Sequence, residues 1–283
     1  MTLALAPAIP PAIELFMKRI LQIGAAAALM TPQLWSAPVF AADHPSVHYP
    51  TNLPPSAQLH YSIKADRSGL TLQGEATVNW QLIQPEQGQN YKTYVINTET
   101  RAALFGKILQ ADSRGVIDTF GLAPDQYDEK PRNKPGTQTH FDRESKQLTF
   151  SESKETYQLT GGEQDRTSVV WQLVSMARAA PKKFVQKSEW AYFVAGRRDA
   201  EKWTFTVEEK VTLATPLGNL TTVHVVKAPP PDSKEQRLDI WLAPSLEWYP
   251  VRLKFSDADG DTIDQRLDQI KNNPQPPEQV SNP

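Results

Sequence analysis

The chain has 283 residues and a formal net charge of −2 at pH 7, and it contains no cysteine. The lack of cysteine excludes disulfides, thiol catalysis, cysteine-based metal sites and the lipid-bearing cysteine of a lipoprotein. The near-neutral charge gives no reason to expect a nucleic acid partner. A disulfide-free chain of this length must be stabilised by its own hydrophobic core.

The N-terminal segment has the three parts of a secretory signal when it is read from Met17 as the start. Two basic residues follow Met17, Ile20–Leu29 forms a short apolar run, and Val39–Ala41 precedes a cleavage site. The run is too short for a transmembrane helix, and no longer apolar run follows. The sequence therefore predicts a signal peptide over residues 1–41, a periplasmic location and no membrane-spanning segment. A buried N-terminal helix is the alternative.

Residues 42–56 are rich in proline and polar residues, which is typical of an extended arm. We predict one β-rich domain over residues 57–271 and a disordered tail over residues 272–283. Apolar and polar residues alternate in the first half of the domain, as in strands with one buried face. Strands are predicted over Ala57–Lys64, Leu70–Trp80, Tyr91–Thr98, Thr137–Asp142 and Gln147–Ser151.

Two stretches of this half are less regular. Ala102–Ser113 fits either a helix or a strand, because Gly106 interrupts the pattern. Pro124–Gly136 carries three prolines and many charges, which predicts a mobile loop.

One helix is predicted, over Arg166–Ala179. Its apolar residues recur at helical spacing, Asp165 is placed to cap the first turn, and Pro181 follows the last turn. A single helix among many strands covers or plugs a sheet.

The second half of the domain is predicted to be β throughout, and Asp259-Gly260 is a strong hairpin signal between its last two strands. A strand spacing of about 10 residues favours an antiparallel barrel, sandwich or rolled sheet. The predicted fold class is mainly β: an antiparallel rolled or spiral sheet, or an open barrel, with one short helix. The predicted strands are Trp190–Val194, Lys202–Glu209, Lys210–Ala214, Leu220–Val226, Leu238–Leu242, Val251–Phe255 and Thr262–Ile270.

The last three strands carry a family resemblance. Ile240–Leu267 reads IWLAPSLEWYPVRLKFSDADGDTIDQRL, which resembles the closing signature of the proteobacterial domain-of-unknown-function 3108 family. Gly115–Lys134 and Gln164–Leu173 resemble earlier segments of that family in the same order. The resemblance implies an exported, β-rich protein without an assigned activity. It also implies a similarity to rolled sheets of the cell envelope, including the lipoprotein-carrier fold, and hence an apolar cavity or a protein-binding face.

Three motifs invite a chemical interpretation. Asp257–Asp261 offers carboxylates to calcium, but it lacks the glycine and glutamate of an EF-hand loop and fits a hairpin turn better. Ser151–Lys154 spells the Ser-x-x-Lys pattern of acyl-transferring enzymes, without its companion motifs. The five histidines show no zinc-site spacing. We therefore predict no catalytic residue, no metal site and no cofactor.

Two further groups of residues are candidates for binding. Trp171 lies off the main apolar stripe of the predicted helix, so we predict that it contacts a ligand, although core packing explains most tryptophans. Basic residues near the helix fit a face for anionic lipid or glycan, or a solvated surface. They are Arg178, Lys182, Lys183, Lys187, Arg197, Arg198 and Lys202.

The leading functional hypothesis is non-catalytic binding of an envelope component, either a lipid-like ligand or a partner protein. The alternative is a periplasmic hydrolase that acts on envelope polymers through paired carboxylates. A third hypothesis is a structural protein that acts through exposed edge strands. Nothing in the sequence indicates an oligomeric state.

Overall fold

The computed structural model describes residues 44–85, 90–229 and 235–272. The predicted signal peptide, and the predicted tail after residue 272, lie outside these residues. The described residues form fifteen strands and one α-helix, which confirms the predicted fold class. The strands are β1 (Ala57–Arg67), β2 (Leu70–Ile83), β3 (Thr93–Ala102), β4 (Gly106–Asp118), β5 (Gly121–Pro131), β6 (Thr137–Asp142), β7 (Gln147–Phe150), β8 (Thr156–Gln158), β9 (Gln164–Asp165), β10 (Glu189–Ala195), β11 (Ala200–Thr215), β12 (Gly218–Lys227), β13 (Arg237–Leu242), β14 (Pro250–Ser256) and β15 (Thr262–Asn272). Helix α1 spans Ser168–Ala179, and a 3-10 helix spans Pro244–Leu246.

The described strands form one sheet, in the order β8-β7-β6-β5-β4-β3-β2-β1-β15-β14-β13-β12-β11-β10-β9. Successive strands pair in antiparallel hairpins within β1–β8 and within β10–β15, and β1 pairs with β15 to join the two halves. Strand β9 differs because it runs parallel to β10 and connects to it through α1. Turns of a meander alternate between the two ends of its strands. The turns after β1, β3, β5, β10 and β14 therefore share one end of the sheet, which we call the open end, and the opposite end is the closed end.

Helix α1 lies between the two halves of the sheet, and nine of its 12 residues are buried. Val169, Leu173 and Val174 pack in a core cluster with residues of β10–β13. Trp171 packs in a second cluster with residues of β1–β3. Neither α1 nor any other helix in the described ranges has the length and apolar character needed to cross a membrane.

Asp165, the predicted cap, lies two residues before the N-cap position, which Thr167 occupies without a side-chain capping bond, but its carboxylate still bonds the start of α1. Asp165 Oδ1 accepts hydrogen bonds from the backbone amides of Thr167 and Ser168, at 2.8 and 2.7 Å. These bonds satisfy amides that the first turn of a helix leaves without an internal partner. The helix begins at Ser168, two residues later than predicted, and ends at Ala179 as predicted.

Residues 44–56 form no helix or strand and lie against the body of the protein. The amide of Asn52 donates to the carbonyl oxygen of Ser175 near the end of α1, at 3.0 Å. Trp80 Nε1 donates to the carbonyl oxygen of Pro54, at 3.1 Å. This segment therefore covers the closed end, while the division between arm and domain at residue 56 stays a prediction.

The prediction of a mobile loop over Pro124–Gly136 is wrong for most of that range, because Gly121–Pro131 forms strand β5. The register between β4 and β5 shifts between Arg114 and Gly115, and Pro124 lies at this bulge. A proline is tolerated there because its missing amide hydrogen interrupts no regular ladder. At Gly115 an added Cβ would overlap the facing backbone of β5, so the bulge depends on this glycine.

The structure also differs from the predicted secondary structure, or resolves an ambiguity in it, at three other places. The ambiguous stretch Ala102–Ser113 is mostly strand β4. The two strands predicted over Lys202–Ala214 are the single strand β11, which is irregular between Val207 and Lys210. Strands β8 and β9 were not predicted, because three and two residues are too few to show an alternating pattern.

Candidate functional site

A groove lies at the open end, next to the first turn of helix α1. Its walls come from both halves of the sheet, and Arg166, Thr167 and Val170 form its floor. We call it the open-end groove. Its apolar wall residues are Ile63, Ala65, Leu72, Ala102, Ile108, Leu109, Ala111, Trp203, Leu238, Phe255 and Ile263.

The open-end groove holds about 180 Å³ of free space. For scale, an apolar cavity of about 150 Å³ lined by leucine, isoleucine and phenylalanine holds one benzene molecule. The groove therefore has room for a short stretch of alkyl chain or for one ring. A longer chain would extend through the mouth into solvent.

Glu129 is a buried carboxylate in the groove wall whose oxygens have partners. The Tyr127 hydroxyl donates to Glu129 Oε2 at 2.8 Å, and Arg197 Nε lies 3.6 Å from Glu129 Oε1. Burial, followed by the negative charge of Glu129, raises the pKa of Tyr127 well above its usual value. The phenol therefore stays protonated and keeps its bond to the carboxylate.

Arg166 is half-buried at the floor of the groove. Its guanidinium lies against Gly196, where an added Cβ would come 2.5 Å from Arg166 Nη2. Within the described residues this guanidinium makes no hydrogen bond and no ion pair within 4.0 Å. Burial raises the pKa of Asp199 and the charge of Arg166 opposes that rise, so the two groups interact through space without bonding.

Asp165 lies behind the floor and is fully buried. Ser113 Oγ donates to Asp165 Oδ2 at 2.5 Å, and the Tyr94 hydroxyl lies 3.1 Å from Ser113 Oγ. Burial raises the pKa of Asp165 to about 6, although these bonds and the helix amides oppose the shift. The network ties the start of α1 to strands β3 and β4.

The structure places Trp171 in the core. Its ring stacks on that of Trp80, it is 3% exposed, and it is not among the residues that line the groove. Its role in ligand binding stays a prediction. The groove instead receives the next residue towards the N-terminus, Val170.

Sequence reasoning missed Val170 and Arg166 as site residues. The helical period assigned both to α1 or its first turn, but it does not show which part of the helix surface the sheet leaves open. The sequence position of Arg166 held one indication of a functional role. A cation at the N-terminal end of a helix opposes the helix dipole, so it needs a separate reason to be there.

The Ser-x-x-Lys motif and the aspartate-rich motif both make structural contacts. Ser151 Oγ accepts a hydrogen bond from the Gln138 amide at 2.8 Å. Asp257 Oδ1 accepts bonds from the amides of Asp259 and Asp261, each at 3.0 Å, and so closes the turn between β14 and β15. In the described part of the chain, no three histidine or carboxylate side chains cluster closely enough to hold a metal ion.

The basic residues near the helix are divided between the two ends of the molecule. Arg178 pairs with Glu247 at the closed end. Arg197 and Arg198 both contact Glu152 near the open end, at 2.9 and 3.1 Å. Their closeness in sequence therefore does not produce one continuous cationic face.

Residues 57–268 match a family described as "Protein of unknown function (DUF3108)". The chain belongs to this family. The matched residues include all of the groove lining, and the match confirms the resemblance read from the sequence. A search of curated proteins finds no match.

Several solved structures are similar at low identity. A β-barrel-like protein of the DUF1849 domain of unknown function from Brucella abortus is 11% identical, covers 79% of this chain and 100% of its own, and has a TM-score of 0.49. A candidate exported protein with a YmcC-like fold from Bacteroides fragilis is 11% identical, with 80% and 100% coverage and a TM-score of 0.31. A candidate outer membrane lipoprotein-sorting protein domain from Vibrio parahaemolyticus is 7% identical, with 79% and 88% coverage and a TM-score of 0.27. Function is therefore inferred from the groove itself.

Proposed function

We propose that this chain is an exported, non-catalytic protein that binds a lipid-like ligand of the cell envelope in the open-end groove. Its signal-like N-terminus supports export to the periplasm. The observation that carries the proposal is the groove, in which apolar side chains from both halves of the sheet surround a space that is open at one end.

The physical reason is the cost of wetting such a surface. Each square ångström of apolar surface in contact with water costs about 25 cal/mol relative to burial. An alkyl chain in the groove would remove that contact for the groove and for itself. Concave, mostly apolar sites with a few placed polar groups are typical of small-molecule binding.

The hydrolase alternative is less well supported by the geometry. Glycosidase-type chemistry needs two carboxyl groups facing each other, about 5–10 Å apart across the substrate. Among the described residues that line the groove, Glu129 is the single carboxylate, and its oxygens are engaged by Tyr127 and Arg197. Asp165 lies behind the floor, fully buried, where a substrate does not reach.

Filling the groove tests the proposal. The probe is a fluorescent C12 alkyl chain titrated into purified protein. We expect Val170→Trp to weaken probe binding at least about tenfold, or about 1.4 kcal/mol, because the indole occupies the space over the floor. Val185→Trp is the matched control, since Val185 is 52% exposed and does not line the groove. It should bind like the unmodified protein.

Two outcomes would contradict the proposal. One is a folded Val170→Trp variant that binds the probe as tightly as the Val185→Trp control. The other is unmodified protein that binds no probe. If that protein instead retains an envelope protein on pull-down, the partner-protein hypothesis takes its place.

A further inference from the structure

The ionic contacts of the arginines set Arg166 apart. Among the described residues, every other arginine side chain contacts a carboxylate or a carbonyl oxygen within the protein. Arg166 has neither contact, although it is half-buried and lies in an apolar site. A guanidinium taken out of water without a partner is unfavourable. The site therefore favours an external anion.

The nearby acidic groups do not supply that anion. Glu201 and Glu235 share a small second pocket with Arg166, but Glu201 accepts a hydrogen bond from Trp203 and Glu235 pairs with Lys227. Glu129 accepts a hydrogen bond from Tyr127 and forms an ion pair with Arg197 at 3.6 Å. Asp165 accepts bonds from Ser113 and from the first helix amides. Asp199 senses the charge of Arg166 but forms no ion pair with it within 4.0 Å. The fork of the guanidinium therefore keeps its donors for a group that enters the groove.

Two neighbouring features suit an anionic head group. Thr167 lies beside Arg166 on the floor and brings a hydroxyl group that can donate to the same anion. Gly196 leaves the space that the guanidinium occupies, since a Cβ there would come 2.5 Å from Nη2. A planar guanidinium binds carboxylate and phosphate oxygens in pairs, and the low local dielectric strengthens that attraction.

We propose that Arg166 and Thr167 form an anion-binding subsite at the floor of the open-end groove. The ligand is then a single-chain amphipathic anion, a carboxylate or a phosphate monoester. Its head group binds at the floor, and its alkyl chain runs between Ile63, Ile108 and Ile263 towards the mouth. This inference rests on the proposed function, because it names the chemical class of ligand for the same groove.

The test compares three ligands with the same C12 chain and different head groups: dodecanoate, dodecyl phosphate and dodecanol. Each displaces the fluorescent alkyl probe from unmodified protein at a fixed pH and salt concentration, below the concentration at which it forms micelles. A charge-assisted hydrogen bond contributes enough for at least about a tenfold difference in affinity. We therefore expect the anionic ligands to bind at least about tenfold more tightly than dodecanol. The stronger of the two anions shows whether the subsite prefers a carboxylate or a phosphate head group.

Variants assign this preference to Arg166. Arg166→Gln should remove the preference for anions and leave dodecanol affinity unchanged, and Arg166→Lys should keep part of the preference because it keeps the charge. Arg198→Gln is the matched control, since it removes one positive charge near the open end from a side chain outside the groove. It should behave like unmodified protein. Circular dichroism and thermal melting check that each variant is folded.

The possible outcomes distinguish a failure of the anion subsite from a failure of alkyl-chain binding in the groove. Equal binding of all three ligands to unmodified protein would overturn the anion subsite and leave the apolar groove in place. An anion preference that persists in folded Arg166→Gln protein would also overturn it. If the alkyl probe itself does not bind to unmodified protein, the proposed function fails, and the anion subsite fails with it.

Discussion

The indole rings of Trp80 and Trp171 stack with their centroids 4.7 Å apart and their planes 14° from parallel. Trp80 belongs to β2 and Trp171 to α1, so this contact fastens the buried helix to the half of the sheet that starts with β1. Tyr249 meets Trp171 edge-on at 6.0 Å and completes the cluster near the closed end. The stack therefore holds the helix whose first turn forms the groove floor.

This stack predicts a large effect of truncation at Trp171. Trp171→Ala should lower the free energy of unfolding by about 3–5 kcal/mol, since it leaves a cavity in a packed core. Trp171→Phe should cost less and keep the affinity for the alkyl probe within about twofold, because it retains an aromatic ring and the groove lining is untouched. Urea unfolding and probe titration measure the two effects. A folded Trp171→Phe variant that loses the probe would support a direct ligand contact instead.

Asp165 predicts a pH dependence of stability. Its folded pKa is raised to about 6, whereas an unfolded aspartate releases its proton near 3.9. Between these values the folded state binds more protons, so this group lowers the free energy of unfolding as pH rises. The total effect is about 3 kcal/mol at neutral pH. Asparagine cannot ionise, so Asp165→Asn should become more stable relative to unmodified protein by about 2 kcal/mol between pH 4 and pH 7.5.

Urea titrations of both proteins at pH 4 and pH 7.5 measure this change. The asparagine side chain of the Asp165→Asn variant keeps a carbonyl oxygen for the amides of Thr167 and Ser168, so the bonds to the start of the helix survive the substitution. A stability difference between the two proteins that is the same at both pH values would contradict the prediction.

The carboxylate of Asp239 predicts a pH dependence of stability opposite to that of Asp165. Burial would raise its pKa, but hydrogen bonds from His224 and Arg237, at 2.8 and 2.9 Å, lower it to about 2. A folded pKa below the unfolded value stabilises the protein above about pH 4, and this stabilisation is lost as pH falls towards 2. Asp239→Asn should therefore cost about 1–2 kcal/mol at pH 7 and less at pH 3. Asp268→Asn, at an exposed site, is the control for urea unfolding at both pH values, and an unchanged cost at pH 3 would contradict the prediction.

Gly115 predicts a steric effect at the bulge between β4 and β5. A Cβ at this position would overlap backbone atoms of β5, which cannot move as a flexible side chain would. Gly115→Ala should therefore destabilise the protein by about 1–3 kcal/mol. At Gly136 a Cβ would meet its nearest atom at 3.6 Å, an ordinary contact, so Gly136→Ala is the matched control. Thermal melting compares the two variants, and equal melting temperatures would contradict the role of Gly115.

Much of the secondary structure is readable from local patterns. Helix α1 is visible because Val169, Leu173 and Val174 recur at helical spacing, and the turn before β15 is visible from Asp259-Gly260. Strand β5 was missed because proline and charged residues are locally typical of loops. Its pairing depends on a bulge and a glycine on the neighbouring strand, which a local pattern does not show.

The groove could not be predicted from local sequence patterns, because it too depends on contacts between distant parts of the chain. The pairing of β1 with β15 joins residues as distant in sequence as Ala57 and Asn272, and no short motif encodes it. Whether Val170 or Trp171 faces open space depends on which strands cover each side of α1. That Arg166 lacks a partner follows only when every nearby carboxylate has been placed. The sequence predicts a helix inside a rolled sheet, and tertiary packing decides where the space remains.

Native mass spectrometry of the protein purified from periplasm, with organic extraction of whatever accompanies it, tests ligand binding in the groove most directly. We expect a bound species with the mass of a single-chain lipid-like molecule on the unmodified protein and on the Val185→Trp control, and little or none on Val170→Trp. Apo masses for all three proteins, with no lipid in the extract, would contradict the proposal that the open-end groove holds a lipid-like ligand.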